Sequence, residues 1–520
     1  MMAFTPDVFA KPWRDAERLI PALRETTITS SFNGLFSFTP DGFPLIGESQ
    51  DVRGVWVAEA VWITHGGGVG RVVADLLADG LSDLDLHDCD LNRFEPHAHS
   101  RSYVRARGAQ QYREVYDITH PLQQMEQPRP LRTTPFHAQQ RDLGAVFFEA
   151  RGWERPQWYK ANAPLLEGYT VPERSNWAGR HWSPIAAAEH LVTRERAGLF
   201  DMTSLPKLEV SGPGAAALLE SLVTNRVDRP IGSVAYALML DERGGIRSDV
   251  TVARLAEDRF QIGSNGPLDL DWIRRHLPVD GSVQVRETTG AICCLGLWGP
   301  RAREIAEQVC ADNLGSEAFP YFSARRITIG EVPVDALRVS YVGELGWELY
   351  TPSEYGQRLW DLLWEAGQPS GLIAVGRGAF ESLRLEKGYR LWGVDMTTEH
   401  TPYEAGVAFA LKPRKGEFIG RAAAIQAKDT ITCRLCCLVL ANPSTIVMGK
   451  EPILVDGQVV GYVTSAGYGY SVGRSIAYGY LPVGLAEPGT SVTIEYFDEG
   501  HAATVAAEPL FDPERQRLTV

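Results

Sequence analysis

A carboxylate that follows a tight turn and lies on the less apolar face of a strand can project into a cleft, and "GGIRSDVTVARL" offers one in Asp249. Thr251 and Ala253 share its face while Val250 and Val252 take the other. The same pattern also describes an aspartate that merely caps its own turn. A second carboxylate stands in "YVGELGWELY", where Glu348 and Tyr350 point to one side of a strand and Trp347 and Leu349 to the other. Such a glutamate can accept two parallel hydrogen bonds from an N–H and an adjacent amino group, the edge that a pterin or a guanine presents. A surface glutamate on an edge strand fits the pattern equally well. A third stretch, "AVGRGAFESLRLEKGYRLWG", places Arg384, Glu386 and Lys387 on a helix from about Ala379 that Gly388 closes, with Arg377 at its entrance. Arginines there can clamp an anionic tail such as a glutamate chain, or they can pair with Glu381 and Glu386.

A fourth stretch, "WITHGGGVGRVVADLL" from Trp62 to Leu77, reads as a strand end, three glycines and an amphipathic helix. Backbone N–H groups at such a helix start can approach an anionic cofactor. Yet Gly66, Gly68 and Arg71 stand where a dinucleotide fingerprint needs three glycines, and the polar run after Asp79 builds no further strand–helix unit. A plain helix N-terminus accounts for it equally well. No G-x-S-x-G, H-E-x-x-H or Walker loop occurs, and no metal site is expected. His65, His120 and His137 are isolated and read as structural.

The elements that must position these residues follow from the wider pattern. With 520 residues and 44% hydrophobic content the chain should hold two to four domains of a globular protein. Its net charge of −14 disfavours nucleic acid and acidic membrane surfaces as partners. The N-terminal run carries Trp13, Ala16, Leu19, Ile20 and Leu23 at helical spacing, which predicts an amphipathic helix rather than a signal peptide or a membrane span. The seven cysteines sit mostly in apolar runs such as "AICCLGLWG" and "ITCRLCCLVL" and read as reduced, buried thiols of a cytoplasmic protein. Residues 92–160 are aromatic and punctuated by proline, which predicts an extended connector. From residue 161 strands and helices alternate, with a hairpin around Gly244–Gly245, and the last ninety residues are strand-rich with glycine turns, as in a small barrel. The expected class is mixed α/β (α+β), without internal repeats.

Several long strings occur in an order that points to one family: "SPIAAAEHLVTRERAGLFDMTSLPKLEVSGPGA", "LDERGGIRSDVTVARL", "YVGELGWELYTP", "SLRLEKGYRLWGVDMTTEHTPYEAG" and "VGYVTSAGYGYSVGRSIAYGYLP". They resemble the folate-binding aminomethyltransferases (glycine cleavage T-protein type), and more closely the carboxyl-terminal part of the dimethylglycine oxidase and dehydrogenase family. The connector "GWERPQWY" and the upstream "SFNGLFSFTPDGFPLIGES" resemble the same enzymes. The resemblance implies four segments: residues 1–91 as the closing part of an amine-oxidising flavin domain whose dinucleotide-binding half is absent, 92–160 as connector, 161–430 as the folate-binding domain, and 431–520 as a β-barrel.

It further implies that Asp249 is the essential carboxylate, near N5 or N10 of the folate. Tyr236, Gly263, Asn265, Tyr341, Glu348, Tyr350 and Arg377 would line the folate cleft. Ala235 stands where a hydroxyl residue is expected, which would remove one folate contact. Thr64, His65, Gly66, Gly67, Gly68 and Val69 would face a flavin only if a partner supplies the rest of its site. The implied cofactors are tetrahydrofolate and an FAD carried by or shared with that partner, a flavoprotein subunit. The implied function is capture of the one-carbon unit from a methylated amine, of dimethylglycine or sarcosine type, as 5,10-methylenetetrahydrofolate. A stand-alone folate-dependent demethylase and a non-catalytic folate-binding or assembly subunit are the alternatives.

Overall fold

The computed structural model describes residues 3–174 and 176–520. The strand Ile246–Ala256 shows why alternation matters here: Val250 and Val252 enter a core with Leu208, Val210, Phe260 and Ile262, while Asp249 and Thr251 face a cavity on the other side. It belongs to a five-stranded antiparallel sheet in the order Gln284–Glu287, Lys207–Ser211, Arg259–Gly263, Ile246–Ala256, Val234–Leu240. The hairpin before it turns at Gly244, whose φ of +85° favours glycine, and Gly245 lies so close to the carbonyl oxygen of Thr398 that no side chain fits. These two residues fix the start of the strand that carries Asp249.

A second sheet of six strands runs in the order Ala324–Ile329, Val332–Leu337, Gly346–Pro352, Ile292–Trp298, Gly198–Asp201, Ile373–Val375, with only the last pair parallel. Trp347 and Leu349 anchor its main core together with Trp360, Leu295 and Leu297, which turns Glu348 and Tyr350 to the opposite face as the alternation requires. All seven cysteines are free thiols, and Cys293, Cys294, Cys310, Cys436 and Cys437 are buried. The C-terminal strands from Cys433–Leu440 to Glu499–Ala506 close into a six-stranded barrel.

Residues 92–160 depart from the expected extended connector. They contain a 14-residue helix, Arg101–Glu114, capped by the Ser100 hydroxyl, which accepts from the Tyr103 N–H at 3.4 Å. They also contain the hairpin Ala145–Ala150/Trp153–Tyr159. Phe136 and Tyr159 are fully buried in the same core as Trp347, so this stretch is part of the second sheet's packing. The prolines other than Pro156, which lies in the hairpin strand, stand outside the helix and the hairpin, and the helix is polar on nearly every face because its packed side includes Arg107 and Gln110. Apolar periodicity therefore had nothing to register.

The N-terminal helix, Pro6–Leu19, buries none of its residues, and its expected apolar stripe is left open. Beyond it come a two-stranded sheet, Leu45–Glu48 with Trp56–Glu59, and the helix Gly66–Asp79 that follows the three glycines. Among the described residues no helix is long and apolar enough to cross a membrane.

Candidate active site

The two sheets and the loop after helix Arg377–Glu386 enclose a cavity of about 230 Å³. Asp249, Tyr236, Gly263, Asn265, Tyr341, Glu348, Tyr350 and Arg377 all line it, although they come from four strands, two loops and one helix start. On its near wall the Asp249 carboxylate is held at both oxygens: Asn265 Nδ2 donates to Oδ1 at 2.9 Å and the Tyr236 hydroxyl donates to Oδ2 at 3.0 Å. Asn265 is itself fixed, because its backbone N–H donates to Asp269 at 2.7 Å and the Ser248 hydroxyl donates to the same Asp269 oxygen at 2.9 Å. Burial raises the Asp249 pKa above the ordinary carboxylate value, and the two donors offset only part of that. Asp269 is pushed up further, to about 6, again by burial. An aspartate raised in this way, with one edge facing a cavity, has the character of a general base rather than of a turn cap.

On the far wall the Tyr350 hydroxyl donates to Glu348, whose pKa burial also raises. Lys207 works against that rise. Its ammonium is buried and donates to the carbonyl oxygens of Thr203 at 2.7 Å and Leu205 at 2.8 Å. One Glu348 oxygen is thus engaged, and the carboxylate remains available to a donor pair on a planar ligand edge. The Tyr341 hydroxyl donates to the carbonyl oxygen of Arg390 and ties the loop after the helix to the cleft.

The arginine clamp expected on helix Arg377–Glu386 is not built there. Glu381 accepts from Arg384 at 2.8 Å and pairs with Arg377, while Arg384 also binds Asp395 at 3.0 Å and the Ser465 hydroxyl of the barrel at 2.9 Å. Burial alone would raise the Glu381 pKa, but the two guanidiniums outweigh it and hold it down at about 2. Arg384 is therefore structural, and Arg377 reaches the cavity as half of an ion pair. Ala235 is likewise not a cleft position: it is buried in the core of the five-stranded sheet, on the face opposite Tyr236, so no ligand contact is lost there.

Several lining residues carried no sequence signal of their own, among them Lys207, Arg390, Trp392 and Met202. Only the position of Trp392 between Gly388 and Gly393 hinted at a shaped loop. Trp392 and Asn265 also line a second cavity, of about 360 Å³, whose walls include His87, Arg107, Glu149 and Arg151. It lies between the cleft and the N-terminal part of the chain.

The residues matched to a flavin, Thr64, His65, Gly66, Gly67, Gly68 and Val69, lie elsewhere. All but Val69 are exposed, and added Cβ atoms at the three glycines would meet nothing within 4 Å. They form one open wall at the start of helix Gly66–Asp79, and none of the described residues lies opposite its three glycines within that distance.

Residues 136–415 match the GCVT N-terminal domain, and residues 434–512 match the glycine cleavage T-protein C-terminal barrel domain. The aminomethyltransferase of Symbiobacterium thermophilum is 31% identical over 395 residues, covering 74% of this chain and 99% of that protein. The chain belongs to the aminomethyltransferase family. In fold the family likeness extends to the glycine cleavage system aminomethyltransferase T of Bartonella henselae, with a TM-score of 0.63 at 26% identity over 74% of this chain and 98% of that one. Outside the aminomethyltransferase portion, residues 2–76 match the FAD dependent oxidoreductase family and 79–134 its central domain. The mitochondrial dimethylglycine dehydrogenase of Mus musculus is 32% identical over 514 residues. That match takes in 97% of this chain and 58% of the dehydrogenase, so the chain spans well under two thirds of that relative's length.

Proposed function

We propose that the Asp249 cleft binds tetrahydrofolate and uses it to capture a one-carbon unit released by oxidation of an N-methylated amine. The observation that carries this reading is the convergence of Asp249, Tyr236, Asn265, Glu348 and Tyr350 on one cavity, with a base-like carboxylate on one wall and a recognition carboxylate on the other. Glu348 and Tyr350 would take the pterin edge, and Tyr341 and Arg377 would bound the rest of the ligand. Tetrahydrofolate supplies two nucleophilic nitrogens, N5 and N10, and their bonding to the carbon of formaldehyde, with loss of water, or of an iminium, with loss of the amine, yields 5,10-methylenetetrahydrofolate.

The chain's own work is to orient and to move one proton. Tyr236 and Asn265 hold the Asp249 carboxylate in place, and its raised pKa brings it nearer the proton it must accept at ring closure. Enclosure replaces a bimolecular encounter by a nearly intramolecular one. The second cavity behind Asn265 and Trp392 supports delivery of the carbon from the N-terminal side.

The oxidation itself belongs, in this reading, to a flavoprotein part that closes over the exposed start of helix Gly66–Asp79 and carries the FAD. Dimethylglycine or sarcosine type amines are the proposed substrates, and the free cysteines favour a reducing compartment such as the cytoplasm. The test is binding of tetrahydrofolate to the purified chain, followed by formaldehyde capture with Asp249 and with Asp249→Asn. Capture lost while binding is kept supports a catalyst. Binding without capture in the unaltered chain leaves a folate-binding assembly subunit, and release of the methyl carbon from the methylated amine itself without any flavoprotein leaves a stand-alone demethylase.

A further inference from the structure

Arginines in this chain are paired almost wherever they are buried: Arg107 with Glu149, Arg129 with Glu154, Arg384 with Glu381 and Asp395, Arg390 with Glu508. Arg155 is half-buried and, like Arg247, has no ion pair among the described residues. It sits on strand Trp153–Tyr159 with its guanidinium against the Phe148 ring, 5.2 Å from the centroid, and among the described residues no carboxylate comes within 4.0 Å of it and no hydrogen-bond acceptor engages it. The nearby Asp201 is already committed, accepting from Thr134 and Gln140 at 2.7 Å each and from the Thr203 N–H at 3.0 Å.

The side chain borders a narrow crevice of about 20 Å³ shared with Asp201, Arg377, Phe380, Met202 and Val375. Arg377, Phe380 and Met202 also line the Asp249 cleft, so the crevice is an extension of it. The backbone keeps the two cations together: Gly376 is pressed directly on the Gln157 carbonyl, which locks strand Trp153–Tyr159 against the start of helix Arg377–Glu386. Burial lowers the Arg155 pKa to about 9, and the neighbouring positive charge of Arg377 adds to that. An anion entering the crevice would offset part of both costs by direct pairing.

We propose that Arg155, with Arg377 beside it, receives a carboxylate at the tail of the ligand held in the cleft. The inference rests on the tetrahydrofolate reading, in which that carboxylate is the glutamate of the folate. It replaces the helix clamp suggested by the sequence with one built from a hairpin strand. Asp201 and Glu381 act on Arg155 only from a distance, and a partly desolvated guanidinium with no acid in hydrogen-bond contact gains from a carboxylate, because the two hydrogen bonds form in parallel and little water screens them.

The test compares 5-formyltetrahydrofolate with 5-formyltetrahydropteroate, which lacks the glutamate, by calorimetry on the full chain. Arg155→Met should weaken the first by on the order of 10- to 100-fold and leave the second unchanged. Arg155→Lys should fall between. Because the unliganded chain holds this cation without a partner, Arg155→Met should melt no lower than the unaltered protein. Equal weakening of both compounds, or a lowered melting temperature with no change in discrimination, overturns the proposal and makes Arg155 a packing residue. An unaltered chain that binds both compounds equally also overturns it while sparing the folate reading. A chain that binds neither overturns both.

Discussion

The cleft around Asp249 and the N-terminal segment to residue 91 are built on opposite terms. In the cleft Asp249 is held at both carboxylate oxygens and Glu348 at one, and the apolar faces of both sheets are covered. In the N-terminal segment Phe32, Leu35, Phe36 and Ile63 are 64%, 86%, 67% and 99% exposed, and the glycine-rich helix start faces open space. A monomer rarely leaves so many large apolar side chains uncovered in one region. The contrast separates a site whose geometry is complete within the chain from a surface whose geometry calls for a second body. In the proposed reading the one-carbon chemistry belongs to the first and association with a flavoprotein part to the second.

The contrast can be broken most severely at Asp249. Asp249→Asn should lower the rate of formaldehyde capture by about 10²- to 10⁴-fold while tetrahydrofolate binding changes little; a rate within threefold of the unaltered chain would remove Asp249 from the chemistry. Next in size is Glu348→Gln, which keeps the shape but not the charge. It should weaken tetrahydrofolate binding by roughly 10- to 100-fold, read by calorimetry, and unchanged affinity would mean that this wall does not recognise the ligand.

A pH series sharpens the same point. The Asp249 pKa lies above the ordinary carboxylate value, so the unprotonated base is lost as pH falls through that raised value. Capture rate should fall about tenfold per pH unit below it, and Asp249→Asn should flatten that limb; a limb that survives the substitution belongs to another group. The smallest effect is expected from Ile63→Ser. This residue is almost wholly exposed, so the melting temperature and tetrahydrofolate binding should stay as they were. Co-purification with the flavoprotein part should nevertheless weaken, and a change in cleft binding instead would show that the two regions are not separate.

Local pattern made much of this architecture legible. The period-2 alternation around Asp249 and Glu348 placed each carboxylate on a face, since successive strand residues must point to opposite sides. The glycines at 244–245 and 388 marked turns that the backbone angles of Gly244 and Gly388 require. The helix Arg101–Glu114 escaped because its packed face includes Arg107 and Gln110 rather than an apolar stripe. Arg384 stayed open between a clamp and an ion pair because, besides Glu381, its partners Asp395 and Ser465 come from a loop and from the barrel, 11 and 81 residues away. Arg155 offered no pattern at all, since being unpaired is a property of everything around a residue.

By itself, then, the sequence determined element types, the face on which each carboxylate stands, and a family likeness long enough to name the chemistry expected. Those are consequences of backbone geometry and side-chain volume acting over a few neighbours. Only the tertiary structure decided which charges are neutralised, which carboxylate is raised by burial, and which arginine is left facing a crevice. Coulomb and desolvation energies depend on distances between residues far apart in the chain, and those distances exist only after the sheets have packed.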